Sequence, residues 1–373
     1  MDPLDRLRVD QVGSLLRPTR LKGAIGRYQR GEIDETALRS VEDDAIRDAV
    51  AEQERVGMPV VTDGEMRRSN FQDSMARSIA GFDAWLDRWK KKPADRAAGK
   101  IPGHAPLITR HRASERISLR RDLPLEEWRF TSSLTERPVK VTLIGPDRIS
   151  QVFDAAASSD VYPTVEAFVD DIVAVERRMV SELAAAGCPY VQIDAPSYTA
   201  YVDEGSLADM RSRGIDPDRA LDRSIAADNA VIAGTPDVTF GIHVCRGNER
   251  SMWHREGPYD AIAERLFTGL AHHRLLLEYD TDRAGTFAPL RFVPQDKVVV
   301  LGLVTTKDPD LESVDDLLRR IEEASRYVPV ERLAISPQCG FASDVAGNLI
   351  DEDAQWRKLE RVVEVGRRVW GEA

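Results

Sequence analysis

Short runs rich in valine, isoleucine and leucine recur along the chain, separated by longer amphipathic stretches, and this alternation limits the fold more than any other feature. The runs are 9–13, 59–63, 139–144, 190–193, 238–244, 275–278, 297–304 and 333–336. Each is largely apolar and is followed by turn or polar residues, as strands buried on both faces of a parallel sheet are. Helical patterns lie between them, such as 166–186, where apolar residues fall three and four apart until Gly187 stops the run. Another helix is expected over 354–370. Eight buried strands alternating with helices predict an α/β protein built as a closed (β/α)₈ TIM barrel. An open doubly wound sheet would want a glycine-rich phosphate turn after an early strand, and neither G-x-G-x-x-G nor G-x-x-x-x-G-K-[ST] is present.

The second gap is too long for a plain βα unit. It holds an aromatic segment over 82–89, three lysines at 90–92, Pro93 and an alternating stretch over 108–134. This reads as an insertion after the second strand, an excursion over 75–137 with a hairpin near the barrel mouth. Without internal repeats, the 373 residues are expected to form one barrel domain over 1–373. A net charge of −11 argues against a nucleic-acid partner. The first residues carry no apolar signal core, and no apolar run approaches membrane-spanning length. The expectation is a cytoplasmic enzyme with no membrane partner, free to form a homo-oligomer. Three cysteines, Cys188, Cys245 and Cys339, make a poor disulfide framework and are better read as metal ligands, nucleophiles or core filler.

Barrel enzymes build their active sites at the C-terminal strand ends. Those ends carry Ser14, Glu65, Asp194, His243 with Cys245, Glu278, Lys307 and Cys339. Alternate residues of a strand point to one side, so His243 and Cys245 can face a common point. A His-x-Cys pair by itself describes an ordinary core histidine beside a buried thiol equally well. Glu278 ends the apolar run Leu275-Leu276-Leu277, where a lone carboxylate would be costly to bury. Cys339 lies just past the last strand, before Gly340. Two thiolates, an imidazole and a carboxylate suit tetrahedral Zn²⁺, and soft sulfur argues against magnesium or calcium. Such a centre carries about −1 overall, so it is a feeble Lewis acid toward a carbonyl but well suited to holding a substrate thiol as thiolate. A closed zinc site that only staples the barrel is the structural alternative, and a non-enzymatic thiol sensor is another.

These residues resemble the cobalamin-independent methionine synthase family, in its catalytic C-terminal barrel and shorter one-barrel members. The resemblance runs through Val12-Gly13-Ser14, Asp63-Gly64-Glu65, Gln192-Ile193-Asp194-Ala195-Pro196, His243-Val244-Cys245, Leu277-Glu278 and Gln338-Cys339-Gly340-Phe341. It implies that His243, Cys245, Glu278 and Cys339 bind zinc and that Glu65 and Asp194 hold the homocysteine amino group. It also implies that the segment with Val12 and Ser14 meets the homocysteine carboxylate. The implied activity is methyl transfer to homocysteine in methionine biosynthesis. A plainer reading pairs Glu65 with Arg67 or Arg68 and makes Asp194 a helix cap.

Three departures stand out. The chain has room for one barrel where full-length family members have two, and Ala195 stands where the family has glutamate. At the seventh strand end the family places a histidine as general acid, but this chain reads Thr305-Thr306-Lys307-Asp308. Methyltetrahydrofolate must be protonated before it leaves, which makes Lys307 the candidate acid, whereas a methyl-corrinoid needs no such proton. The donor is therefore a folate or a corrinoid. A rival reading, alkyl transfer to coenzyme M as in epoxyalkane:coenzyme M transferases, needs cations for a sulfonate, and Arg67, Arg68 and Lys307 could supply them. His272 and His273 are expected on a helix at the surface or its boundary, His254 in a loop near the mouth, and Cys188 as buried filler.

Overall fold

A computed structural model describes residues 3–82 and 110–371. Strands β1 (Ile79–Phe82) and β2 (Ala113–Leu119) pair antiparallel. Six parallel strands follow in sequential order: β3 (Lys140–Ile144), β4 (Tyr190–Asp194), β5 (Thr239–Val244), β6 (Arg274–Glu278), β7 (Val298–Val304) and β8 (Leu333–Pro337). Every residue of β3, β4, β6 and β8 is buried, which is why these segments read as largely apolar runs. The helix Val165–Ala186 starts at Thr164, whose side chain accepts from Ala167 N, and ends at Gly187 with φ 95°. Only glycine adopts that left-handed cap without penalty.

The first two expected strands are each reduced to one parallel bridge, Val9 to Ile335 of β8 and Val61 to Val139 beside β3. Side chains replace the ladder between these two segments. Thr62 Oγ1 donates to Gly13 O at 2.7 Å, Gln11 Nε2 donates to Val60 O at 3.0 Å, and Leu15 N reaches Gly64 O at 3.0 Å. These contacts bring the two outer edges of the parallel sheet together. Beneath the strand ends lies a buried polar network that the apolar patterning does not reveal. Lys140 Nζ donates to Asp10 Oδ1 at 2.7 Å and Gln192 Oε1 at 2.9 Å, and Tyr190 donates to Asp10 Oδ2 at 2.9 Å. Against the cost of burial, Lys140 and Arg274 hold the Asp10 carboxyl below its usual range.

Two expectations need correction. The alternating stretch over 108–134 is not all hairpin: β2 is followed by the helix Leu123–Ser132, started by Asp122, whose side chain accepts from Leu125 N, and by Pro124. Residues 83–109 of the expected excursion lie outside the described residues. His272 and His273 are not helical, because the helix Ala263–Gly269 stops before them and they lead directly into β6. His273 is exposed and its Nδ1 accepts from Phe240 N at 2.9 Å, while His272 is fully buried with neither ring nitrogen partnered.

Burial pulls His272 down to about 3, with Lys297 adding to the effect. The unfolded chain therefore binds a proton there between about pH 6.5 and 3 that the folded chain refuses, so folding stability falls as pH drops through that window. His272→Gln is expected to flatten the pH dependence of the unfolding free energy by up to about 1.4 kcal/mol per pH unit there. Denaturant titrations at pH 6.5 and pH 4.5 check this, and equal slopes in both proteins would refute it.

Candidate metal and substrate site

The strand register brings the expected ligands together. Asp194 at the end of β4 sits beside His243 on β5, and Val244 sits beside Leu277, next to Glu278, on β6. One ligand atom each from His243, Cys245, Glu278 and Cys339 lies within 4.8 Å of all the others. The two sulfurs are 3.6 Å apart. That is too far for a disulfide bond and close to the roughly 3.8 Å between two sulfurs bound tetrahedrally to zinc at about 2.3 Å.

Among the described residues, neither buried ring nitrogen of His243 has a hydrogen-bond partner of good geometry, so either is open to a ligand. Burial alone would lower its pKa, yet the Cys339 sulfur, Asp194 and Glu278 raise it to about 9. Cys245 and His243 hold the Cys339 thiol well below the usual range, while Cys339 and burial push Cys245 up. Among the protein groups alone, protons on His243 and Cys245 supply the positive charge that this donor set demands. A dication would replace both.

The supporting contacts orient the donors. Glu278 accepts from Arg246 N at 2.8 Å through Oε1 and from Arg283 Nη2 at 3.0 Å through Oε2, and Arg283, then Lys307, keep its carboxyl low against burial. Gly247 N donates to Cys245 Sγ at 3.2 Å. Asn248 Nδ2 donates to Gly340 O at 2.6 Å and so ties the loop after Cys245 to the loop of Cys339. Gly340 is needed for close approach, because a Cβ there would overlap Ser14 Oγ.

A cavity of about 180 Å³ opens onto this cluster and is lined by Val12, Ser14, Glu65 and Asp194 along with His243, Cys245 and Cys339. Glu65 is buried in left-handed backbone at φ 58°, a sparsely allowed conformation for a non-glycine residue. Its Oε1 accepts from Thr142 Oγ1 at 2.8 Å and Arg68 Nη1 at 3.4 Å, whereas Oε2 is buried without a partner. Asp194 caps no helix, and its Oδ1 accepts from Gln192 Nε2 at 2.8 Å. Burial pushes the Asp194 carboxyl up to about 7, Glu65 adding to the rise against the pull of His243. Glu65 thus pairs with Arg68 through Oε1, as the plainer reading expected, while Glu65 and Asp194 both still line the cavity.

The cations named for a sulfonate are committed elsewhere. Arg67 pairs with Asp43 at 2.5 Å, Arg68 pairs chiefly with Glu127 at 2.7 Å, and Lys307 Nζ donates to Gly247 O and Asn248 Oδ1, both at 3.0 Å. None of the three lines the cavity. His254 does, with Nε2 3.6 Å from Glu249. Cys188 is buried core, its thiol pushed up to about 12 by burial. The sequence offers no candidate at the end of β3, where the structure places Arg148. Thr142 also escapes sequence reasoning, since it matters only through a partner distant in the chain.

A sequence model described as the catalytic domain of cobalamin-independent synthase matches residues 9–352. The chain belongs to the cobalamin-independent synthase family. That membership makes it a methyltransferase-type enzyme. It is 36% identical to the uncharacterized protein YxjG of Bacillus subtilis (strain 168), across 97% of this chain and 94% of that one. It is 26% identical to the methionine synthase of Pyrococcus abyssi (strain GE5 / Orsay), across 96% and 91%. The crystal structure of a Listeria monocytogenes protein, titled a vitamin-B12 independent methionine synthase, superposes with a TM-score of 0.73 at 25% identity, covering 98% of each chain. Among the described residues, no helix of this cobalamin-independent synthase is long and apolar enough to cross a membrane.

Proposed function

We propose that this chain is a zinc-dependent S-methyltransferase that transfers a methyl group to the thiol of homocysteine and forms methionine. The observation that carries this reading is the convergence of four ligand atoms within 4.8 Å on a cavity that also presents Glu65 and Asp194. His243, Cys245, Glu278 and Cys339 would hold the metal. Zinc bound there supplies a lowered thiol pKa while leaving the sulfur nucleophilic.

The chain's own residues do the rest. Glu65 and Asp194 receive the α-ammonium group, which offsets the repulsion between two buried carboxyls. The backbone around Val12 and Ser14 meets the α-carboxylate. Arg283 and the Arg246 amide keep Glu278 aimed at the cluster. The homocysteine sulfur then forms a bond to the methyl carbon. The carbon–donor bond breaks with its electron pair leaving on the donor, and a folate donor takes up one proton. Lys307 is the remaining candidate for that proton, held by Gly247 O and Asn248 Oδ1. We read the chain as one (β/α)₈ barrel over 1–373 with an excursion over 75–137 near the mouth, working in the cytoplasm on small molecules.

The test is to incubate zinc-loaded protein and homocysteine separately with methyltetrahydrofolate and methylcobalamin and to assay methionine. Formation with one of them is expected, and failure with both would sink the reading. In the same assay Lys307→Met separates two roles. A proton donor costs folate-dependent turnover alone, whereas a tether for the loop after Cys245 costs bound metal as well.

A further inference from the structure

Three arginines line the cavity, Arg148, Arg246 and Arg255, and none has a carboxylate within ion-pair distance among the described residues. Arg246 is fully buried and stacks its guanidinium on the Tyr259 ring, 4.4 Å from the centroid. The other two have no aromatic ring beneath them among the described residues. Arg255 is buried, donates to Pro196 O through Nη1, and leaves Nε without a partner. Arg148, just past β3, has Gln151 Oε1, 3.0 Å from Nη1, as its one side-chain partner among the described residues. Asp147 and Asp203 act on Arg255 only from beyond 4.0 Å, and Asp203 is occupied capping the helix Glu204–Ser212.

A buried guanidinium such as that of Arg255 is costly unless paired, so it persists where a ligand completes it, and Arg148 stands half-buried at the wall of the same cavity. Burial, and next the nearby Arg255, pull Arg148 down to about 10 against the opposing effect of Asp147.

We propose that Arg148 and Arg255 form an anion subsite that takes a carboxylate, phosphate or sulfonate of a molecule bound in the cavity that opens onto the metal-ligand cluster. This rests on the methyl-transfer reading above. The forked donors of arginine match such planar or tetrahedral oxyanions, and the site gives the cavity an acidic part for an ammonium and a basic part for an anion. The anion arrives either on the methyl donor or on the thiol.

Binding to the full-length protein distinguishes the two sources. Cobalt-substituted wild type and Arg148→Gln are titrated with homocysteine and with 2-mercaptoethanesulfonate, following the sulfur-to-cobalt absorption. Zinc-loaded samples are titrated calorimetrically with methyltetrahydrofolate, which carries two carboxylates. Arg148→Gln is expected to weaken methyltetrahydrofolate or the sulfonate thiol by about tenfold or more, with homocysteine uptake within about twofold of wild type. Arg148→Lys should recover part of the loss because it restores the charge. Loss with the folate assigns the anion to the donor, and loss with the sulfonate assigns it to the thiol. Wild type that binds neither anionic probe overturns the subsite, as does a variant that binds both normally. An equal loss of homocysteine also overturns it, since the arginines would then serve only to balance the thiolates. Wild type that fails to take up homocysteine counts instead against the methyl-transfer reading.

Discussion

Replacing Cys339 by alanine is expected to reduce bound metal from about one ion per chain to under about a tenth after dialysis, and methyl transfer by about a thousandfold or more. The size follows from the donor set. Cys339 is buried 3.6 Å from Cys245, and its thiolate is the group that His243 and Cys245 favour most strongly. Without it, one thiol, one imidazole and one carboxylate remain, and the affinity contributed by the second soft ligand is lost. Elemental analysis and a methionine assay on the same samples measure both effects. Cys188→Ala is the control, since its sulfur is buried in the core away from the cluster, and it should keep its metal. A Cys339→Ala protein that turns over normally with no metal would end the zinc reading.

The second large effect is expected at Asp194. Asparagine has nearly the same shape and can still accept from Gln192 Nε2, so the fold and the metal should survive. What disappears is a charge in a buried site, and losing one partner of a buried charge pair costs roughly 2–5 kcal/mol, or about 30-fold to several thousandfold in affinity. Homocysteine binding should weaken by that factor. Binding of 4-mercaptobutyrate, the same molecule without its amino group, should stay the same or tighten. Thiol uptake by the cobalt-substituted protein reads both. If Asp194→Asn takes up homocysteine as well as wild type does, the two carboxyls are not the ammonium site.

Much of the site was legible because it is written in strand periodicity. His243 and Cys245 lie two apart on β5, so one strand face carries both. Glu278 closes an apolar run where an unpaired carboxylate has no place. The same logic missed the first two strands as drawn, because Thr62 and Gln11 supply through side chains the bonds that a ladder would have made. It missed the placement of His272 as well. Adjacent histidines look alike in a string, yet one faces the core and its neighbour faces water. For the expected sulfonate cations, Arg67 and Arg68 follow Glu65 closely in the chain, but their counter-ions Asp43 and Glu127 do not.

The order of residues alone determined the alternation of buried strands with helices and singled out four candidate donors at strand ends, because both depend on spacings of a few residues and on the cost of burying charge. Tertiary structure decided which charges were already spoken for. Asn248 meets Gly340 across 92 positions and Thr142 meets Glu65 across 77. Contacts of that separation exist only once the strands are side by side, which is why the loop that holds Lys307 and the two arginines at the cavity wall came into view only with the fold.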